Sequence, residues 1–268
     1  KVMSLKTRFG NLGNILDFDT LTKENIYVLN SPILSNSQFN KFINFFGKNS
    51  INLDCTFLQN ENLTNAITRI QKEAEIAVRQ GVKQLVLSDK DLSSEKLPIP
   101  MLLCVGAINT FLIEKKLRGY VSINVQSGEA LDTHSFATLI GVGATTVNPY
   151  LAFDSLYQRY SKKLFGQFSF DECVQRYIKS VNAGLLKIMS KMGISVLSSY
   201  RGGCNFETVG LSRTVVNDYF PGVTSKISGI GLTGIEKKIR EIHKEAFEST
   251  ETVLPIGGIY RYRKNGET

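Results

Sequence analysis

The sequence predicts an α/β protein made of parallel strand–helix units that resemble a degenerate or partial βα barrel, followed by a mostly helical C-terminal segment. Three observations lead to this prediction. Short apolar runs alternate with longer stretches of helical periodicity between residues 52 and 160. The apolar runs are nearly continuous, as in a sheet buried on both faces. After Ser169 the periodicity becomes almost entirely helical.

The predicted elements follow one another in a regular order. Strands are predicted at 52–58, 84–88, 120–125 and 144–148, and each is followed by a helix, at 63–81, 99–115, 133–141 and 151–160. An earlier helix begins after Ser35 or Asn36, where apolar residues recur at helical spacing. Four strand–helix repeats favour a parallel sheet with right-handed crossovers. The pattern does not distinguish an open doubly wound sheet from a barrel or partial barrel.

The C-terminal part carries its own start signal. Ser169 and Glu172 have the spacing of a capping box and predict a long helix that reaches about Met192. Shorter helices are predicted at 212–219 and 234–247, and the Gly-rich tail from Thr250 is expected to be extended. The chain is therefore divided into an α/β unit, 1–165, and a helical connector, 166–268.

Composition excludes several classes of protein. The formal net charge of +8 comes from scattered lysines and arginines, so nucleic-acid binding is not expected. No apolar run is long enough to span a bilayer, and the first residues lack a secretory signal, so a cytoplasmic protein without a membrane partner is expected. The four cysteines form no CxxC pair and two histidines are few, so we expect free thiols and no metal site.

The turn at Ser127 and Gly128 is the first candidate for ligand binding. A strand, a Gly turn, a helix and a second Gly-containing turn follow in the order that flavin-binding barrels use to hold phosphate. Glu129 in the same loop would repel a phosphate. The alternative, which we favour, is a barrel-like unit that has kept its shape and lost the ligand.

Four other polar side chains invite a catalytic interpretation. Asp89 and Asp91 follow a strand at its carboxyl end, where α/β proteins place chemistry, although a turn or cap is the favoured interpretation. His134 begins a helix without an identifiable acid–base partner, so we expect its ring to bond to the turn or to a carboxylate. Cys204 lies near Arg201, which would lower the pKa of a thiol, but no base is near in sequence.

The segment from Ser190 to Gly203 is the best functional candidate. Lys191, Tyr200 and Arg201 stand among small residues, which allow close approach of another backbone. These three side chains could contact an anion or a neighbouring domain. The alternative is an interdomain packing segment, and this is the favoured interpretation.

Four stretches of the chain, taken together, resemble one family. They are KVMSLKTRFGNLGNILD at the start, LVLSDKDLSSEKLPIPMLLCVGAINTFLI, SGEALDTHSFATLIGVGATTVNPYL and GLLKIMSKMGISVLSSYRGGCNFETVG. In this order they resemble the later part of the central domain of the glutamate synthase large subunit, with the lead-in to its flavin-binding synthase domain. Both ends of the chain are accordingly expected to be cuts through a longer polypeptide.

The resemblance implies a division of labour. In that family a glutaminase domain releases ammonia from glutamine, a tunnel carries the ammonia, and a flavin barrel with FMN and an iron–sulfur cluster makes glutamate from 2-oxoglutarate. The part seen here is expected to be a scaffold between the two sites, without catalytic, cofactor-binding or metal-binding residues of its own. The expected partners are the glutaminase and flavin-barrel domains of the same polypeptide and a small reductase subunit.

The resemblance also suggests which residues face those partners. The interdomain or tunnel candidates are Lys191, Ser195, Tyr200, Arg201 and Gly202. The stretches RGGCNFE and YFPGVTSKISGIG look more like the bacterial NADPH-dependent branch, although these residues do not encode the electron donor. The alternative function is a stand-alone flavin- or phosphate-binding enzyme with a βα-barrel-like fold.

Overall fold

A computed structural model describes residues 3–9 and 27–248. Its strands are β1 (Thr7–Phe9), β2 (Tyr27–Leu29), β3 (Ser50–Asp54), β4 (Thr56–Leu58), β5 (Gln84–Ser88), β6 (Lys96–Pro98), β7 (Ser122–Gln126), β8 (Thr146–Asn148), β9 (Glu207–Leu211) and β10 (Thr224–Ile230). Its helices are α1 (Asn36–Phe46), α2 (Leu63–Arg79), α3 (Met101–Glu114), α4 (Thr133–Gly141), α5 (Tyr150–Ser161), α6 (Phe170–Lys191), α7 (Leu197–Tyr200), α8 (Arg213–Tyr219) and α9 (Leu232–Glu248). The tail predicted from Thr250 lies outside the described residues.

The main sheet has four parallel strands in the order β3–β5–β7–β8. Helices α2, α3 and α4 connect them in turn, as the strand–helix alternation predicted. Within the described residues the sheet stays open and no barrel closes. The predicted fold class, parallel units resembling a partial βα barrel, is therefore confirmed.

The single strand predicted at 52–58 is wrong, because the chain leaves the sheet at Cys55. Strand β3 ends at Asp54, and β4 then pairs antiparallel with β6 in a separate two-stranded sheet. The Asp54 carboxylate accepts hydrogen bonds from the backbone N–H and the hydroxyl of Thr56, which holds the bend. Strand β3 is also the edge of the main sheet and is partly exposed, so it is not the buried strand that was expected.

Strands β5, β7 and β8 alternate between an apolar and a polar face. Leu85, Leu87, Ile123, Val125 and Val147 point into the main core. The opposite face carries buried polar side chains, which hydrogen-bond from strand to strand: Asn124 Nδ2 donates to Gln84 Oε1, Thr146 Oγ1 donates to Asn124 Oδ1, and Ser88 Oγ donates to Gln126 Oε1. Burial on both faces is confirmed for these strands, but the nearly continuous apolar character is not.

Helix α1 covers the polar face with an aromatic cluster. Its N-cap is Ser35, whose side chain forms a capping box with Gln38. Phe39, Phe42 and Phe46 pack with Phe9, Leu34 and Val86 in a second, smaller core. In a closed βα barrel this face would line the interior, whereas here the aromatic side chains of α1 cover it.

The C-terminal part matches the predicted helices and adds one unpredicted sheet. The capping box of Ser169 and Glu172 begins α6, which ends at Lys191 as expected. Helices α8 and α9 lie close to the predicted ranges. Strands β9 and β10 form a parallel pair that the sequence did not predict, because Gly210 and Gly229 interrupt the alternation of both strands.

One hydrophobic core joins the two predicted units. Helix α6 packs against α4 and α5, and α8 packs against α3. Val174, Ile178, Val215 and Phe220 share a cluster with the main sheet. The division at 165 stays a prediction. Within residues 3–9 and 27–248, no helix combines the length and apolar character needed to cross a membrane.

Candidate functional site

The carboxyl end of the main sheet holds the Ser127–Gly128 turn, and Asp89 fills it. Asp89, at the end of β5, is 3% exposed. Its carboxylate accepts a hydrogen bond of 2.5 Å from Ser127 Oγ and two of 3.1 Å from the Gly128 N–H. Burial raises the pKa of Asp89, while these hydrogen bonds and one from Tyr150 oppose the rise. The donors that could have held a phosphate are therefore occupied by a carboxylate of the same chain.

Glu129 fills the neighbouring anion-binding feature, the N-terminus of α3. Helix α3 has no side-chain cap at Pro100, and Glu129 Oε2 accepts the N–H of Met101 at 2.9 Å. Burial of the carboxyl group, with some repulsion from Asp89, raises the pKa of Glu129 to about 7, although the residue keeps more than a third of its surface exposed. Favourable charge at a helix N-terminus explains why a carboxylate is tolerated there.

These contacts bear on the phosphate interpretation. The turn's hydroxyl and amide, and the first amide of α3, already bind carboxylates. To the extent that Asp89 and Glu129 are ionised, their negative charge would also repel an added phosphate. Gly128 has little spare room, since a Cβ there would lie 3.1 Å from Tyr150 Oη. The geometry therefore agrees with a barrel-like unit that has no phosphate cradle.

Asp91 and the two histidines do not join a catalytic group. Asp91 is exposed in the turn after β5. His134 is exposed, and its ring makes no hydrogen bond to a described residue, so the predicted ring hydrogen bond is not found there. Asp132, the nearest carboxylate in sequence, caps α4 by accepting hydrogen bonds from the backbone N–H and the hydroxyl of Ser135. His243 Nε2 lies 2.8 Å from the carbonyl oxygen of Ser93.

All four cysteines are free thiols, as expected. Cys55 and Cys104 are fully buried in the main core. Burial raises the pKa of Cys204, and no cation is among the causes, so the lowered pKa considered for a nucleophile is not found. Among the described residues, no three His, Cys, Asp or Glu side chains are placed to hold a metal ion.

The segment after α6 joins the start of the chain to the main core. Lys191 is exposed at the end of α6. The carbonyl oxygen of Ser195 accepts the N–H of Ser4 at 2.9 Å, and the N–H of Leu197 returns to the Ser4 carbonyl at 3.1 Å. The backbone at Ser195 therefore has a structural partner within this chain.

Tyr200 is an internal residue. It is 1% exposed, and its hydroxyl donates to the carbonyl oxygen of Ala137 at 3.0 Å. Its ring packs edge-on against Phe206, with centroids 6.4 Å apart. Burial raises the pKa of Tyr200 to about 12. Its contacts are thus with α4 and the loop, and its side chain is not presented to the surface.

Arg201 is the partly buried charged residue of this segment, and it has no charged partner among the described residues. Its side chain makes no ion pair or hydrogen bond to a described residue, and burial lowers its pKa. Arg118 lies close enough to repel it, which together with burial lowers the pKa of Arg118 to about 10. Arg118 donates to the side-chain oxygen of Asn109 and to the carbonyls of Val121 and Gly143, all of them neutral. Sequence reasoning missed Arg118, because nothing local relates it to Arg201.

The loop around Gly202 closes the end of α4. The N–H of Gly202 donates to the Ile140 carbonyl at 3.2 Å, and the N–H of Cys204 donates to the Gly141 carbonyl at 3.1 Å. These bonds satisfy carbonyls that a helix C-terminus leaves open. Gly202 has φ +70, and a Cβ there would meet nothing within 4 Å, so its outer side is open.

A cleft on the polar face of the sheet is a further candidate that the sequence did not reveal. Its volume is about 490 Å³. It lies between α1 and the strands β3, β5 and β7, and its described lining residues are Phe39, Asn40, Ile43, Asn44, Ser50, Asn52, Val86 and Gln126. None of these carries a charge, so the cleft does not offer the cations that bind phosphate.

The fold and the site together define a class of protein: an open parallel α/β unit that resembles part of a βα barrel. At the carboxyl end of its sheet, Asp89 and Glu129 accept the hydrogen bonds of the neighbouring turn and helix N-terminus. Comparison with known proteins gives the family. The family model described as "Glutamate synthase central domain" matches residues 1–212. The chain therefore belongs to the glutamate synthase central domain family.

Full-length relatives agree with this assignment. The chain is 48% identical over 270 residues to the "Glutamate synthase [NADPH] large chain" of Azospirillum brasilense, covering 100% of this chain and 18% of the relative. It is 41% identical to the large chain of the same name from Bacillus subtilis, covering 89% and 16%. The "Ferredoxin-dependent glutamate synthase" of Pyropia yezoensis is 40% identical, covering 99% and 18%. The chain thus spans less than a fifth of the length of these relatives.

A solved structure of flavocytochrome b2, a doubly substituted variant with sulfite bound, is also similar. The TM-score is 0.37 with 18% identity, covering 57% of this chain and 39% of the other. This likeness is too distant to support a conclusion about ligand or activity.

Proposed function

We propose that this chain is the later part of the central domain of a glutamate synthase large chain, with the lead-in to its synthase domain, and that it is a scaffold between the glutaminase and synthase sites. One observation carries the proposal. Identity of 48% extends over the whole chain while covering only 18% of the relative. The carboxyl edge of the sheet supports the second part, because the Ser127 hydroxyl and the Gly128 and Met101 amides already donate to carboxylates of the same chain.

The complete protein would convert glutamine, 2-oxoglutarate and reductant into two molecules of glutamate. FMN and an iron–sulfur cluster would be bound by the flavin-barrel domain and not by the residues seen here. The names of two bacterial relatives favour NADPH as the donor, and a small reductase subunit would deliver its electrons. We place the protein in the cytoplasm.

Within this scaffold we assign Lys191–Phe206 to the contact with the flavin barrel, where it would help to fix the ammonia route. Lys191 and the outer side of Gly202 are open to solvent, and Arg201 has no counter-ion among the described residues. A partly buried guanidinium beside a second one is costly without a carboxylate. A carboxylate from the neighbouring domain would supply it. Ser195 and Tyr200 would not contact the barrel; they would hold the segment in place through their hydrogen bonds to Ser4 and Ala137.

The proposal is tested by comparing the 268-residue chain with the full-length large chain. The short chain should show no glutaminase activity and no glutamate formation from glutamine, 2-oxoglutarate and a reduced donor. The full-length chain with its electron donor should show both. Turnover by the short chain above background would overturn the scaffold assignment.

Flavin absorbance of the purified short chain separates this proposal from a stand-alone flavin-binding barrel. The scaffold proposal expects none. Stoichiometric flavin in the short chain would favour the stand-alone enzyme, since its binding site would then have to lie within these residues.

A further inference from the structure

Strands β9 and β10 form a sheet of only two strands among the described residues, fewer than a stable sheet normally has. They run parallel, joined by α8, with Glu207 opposite Thr224 and Val209 opposite Ile227. No third strand among the described residues pairs with either of them. Parallel strands occur almost only in sheets covered on both faces, and two strands alone are marginally stable.

The pair is anchored by α8, whose Val215 and Val216 are buried in the main core. Val209 and Ile227 lie opposite each other and are 66% and 60% exposed, and Ile230 is 46% exposed. Leu211, the partner of Ile230, packs against the main core, and the register shifts on both sides of Ile227. The three exposed side chains form the open face of the pair, and each loses the free energy that burial would provide.

Strand β10 also has a free edge. Six of its seven residues are exposed, whereas β9 is partly buried throughout most of its length. A free edge presents unpaired N–H and C=O groups and is a template for pairing with another strand. The hydroxyl of Ser225, in the same strand, is buried without a hydrogen-bond partner.

The pair is nevertheless built firmly. Gly229 approaches the backbone of Gly210 so closely that no Cβ fits there. Lys226 Nζ and Glu207 Oε1 are 2.6 Å apart and join the two strands across the pair. The open edge and face therefore belong to two strands that contact each other closely, and no other described strand lies beside them.

We propose that a further β-strand of the same polypeptide, outside residues 1–268, pairs with the free edge of β10 and that its segment covers Val209, Ile227 and Ile230. This inference rests on the proposed function, which supplies the additional polypeptide. The length of the relatives, of which this chain spans 18% or less, leaves ample chain for it. Pairing would add main-chain hydrogen bonds along the edge, and the new side chains would bury the aliphatic face.

The test compares two isoleucines of nearly equal exposure in the full-length large chain. Ile227→Cys probes the open face, and Ile76→Cys on α2, where Ile76 is 56% exposed, is the matched control. Maleimide labelling of each site is followed by mass spectrometry of its peptide. If the face is covered, Cys at 227 should label about 100-fold more slowly than Cys at 76, since labelling would need local opening. Equal rates would overturn the proposal.

Amide hydrogen exchange of the unsubstituted full-length chain tests the strand pairing itself. With a strand on the free edge, nearly all amides of Thr224–Ile230 should be protected; without one, the amides that point away from β9 should exchange freely. Protection or slow labelling that disappears on dilution would identify a second copy of the chain as the cover and would also overturn the proposal.

The same preparation distinguishes this proposal from the proposed function. A full-length chain that makes glutamate from glutamine but labels rapidly at position 227 refutes only the inference about β10. A chain that makes no glutamate refutes the proposed function, whatever its labelling rate.

Discussion

The carboxyl end of the main sheet and the C-terminal part of the chain differ in whether other described residues satisfy their polar groups. At the carboxyl end of the main sheet, Asp89 binds the Ser127–Gly128 turn and Glu129 binds the start of α3. In the C-terminal part, Arg201 has no counter-ion and β10 has no second neighbouring strand among the described residues. The donors named at the sheet edge are thus occupied within the chain, whereas a cation and a strand edge in the C-terminal part have no partner in residues 3–9 and 27–248. The proposed contact with other domains depends on this difference.

The largest effect is expected from a charge in the main sheet. Val86, at the centre of β5, is 2% exposed and packs against α1. Val86→Asp should lower the free energy of unfolding by roughly 3–5 kcal/mol, because the charge would be buried without a partner. Urea denaturation measures this, with Ile76→Asp at an exposed site as the control, expected within about 0.5 kcal/mol of wild type. Equal midpoints for both variants would contradict the burial of β5.

Removing the carboxylate that fills the turn should have the next largest effect. Asp89→Ala leaves the Ser127 hydroxyl and the Gly128 amide without an acceptor, and each unsatisfied buried group costs about 1–3 kcal/mol. Asp89→Asn keeps one acceptor oxygen and should cost less. The two variants are compared by thermal or urea unfolding. If they are equally stable, the turn does not depend on Asp89, and the contrast between the two regions is weakened.

Features of the fold and of the candidate site could be predicted from the sequence where the residues in contact lie close together along the chain. The capping box of Ser169 and Glu172 spans three residues, and it was predicted correctly. Helix periodicity likewise located α2 and α4 to within two residues, because each helix carries its own apolar stripe.

Contacts between residues that are far apart in the sequence were not predicted. Asp89 meets Gly128 across 39 residues, and Glu129 meets Met101 across 28. The departure of the chain from the main sheet at Cys55 depends on the pairing of β4 with β6, which is equally non-local. Alternation in QLVLS and SINVQ, which marks the polar face of the sheet, was available as a signal but was interpreted as continuous apolar character.

A backbone change in the outward-facing loop should have a moderate effect on stability. Gly202 has φ +70, so Gly202→Ala should cost about 1–2 kcal/mol through strain alone, since nothing lies within 4 Å of the added Cβ. Gly119→Ala is the control, because that position also has open space and no positive φ. Chemical denaturation of both variants checks the difference. Equal stability would mean that the loop relaxes around the substitution.

The smallest effect concerns the pH dependence of stability. Folding raises the pKa of Glu129 from 4.5 to about 7, so the folded protein holds this proton more tightly than the unfolded chain. The stabilisation is complete below about pH 4.5 and is lost as the pH rises through 7. Glu129→Gln keeps an acceptor for the Met101 N–H and should remove this part of the decline. Solvent screening will reduce it, since the residue is partly exposed.

Melting temperatures of wild type and Glu129→Gln between pH 5 and 8 measure this difference. The two curves should be closest at pH 5, with wild type falling relative to the variant towards pH 8. If the melting temperatures of wild type and variant change in parallel with pH, folding does not raise the pKa of Glu129, and this prediction is wrong.

The central claim, that this chain is a connector whose outward loop helps to couple two distant sites, is tested most directly by Gly202→Val in the full-length large chain. The quantity to measure is glutamate formed per glutamine consumed, with Gly119→Val as the matched control. We predict that glutamine hydrolysis stays largely intact while the ratio falls for Gly202→Val alone, because a displaced domain junction would misalign the ammonia route. A ratio equal to that of wild type would contradict the account and make this segment ordinary packing.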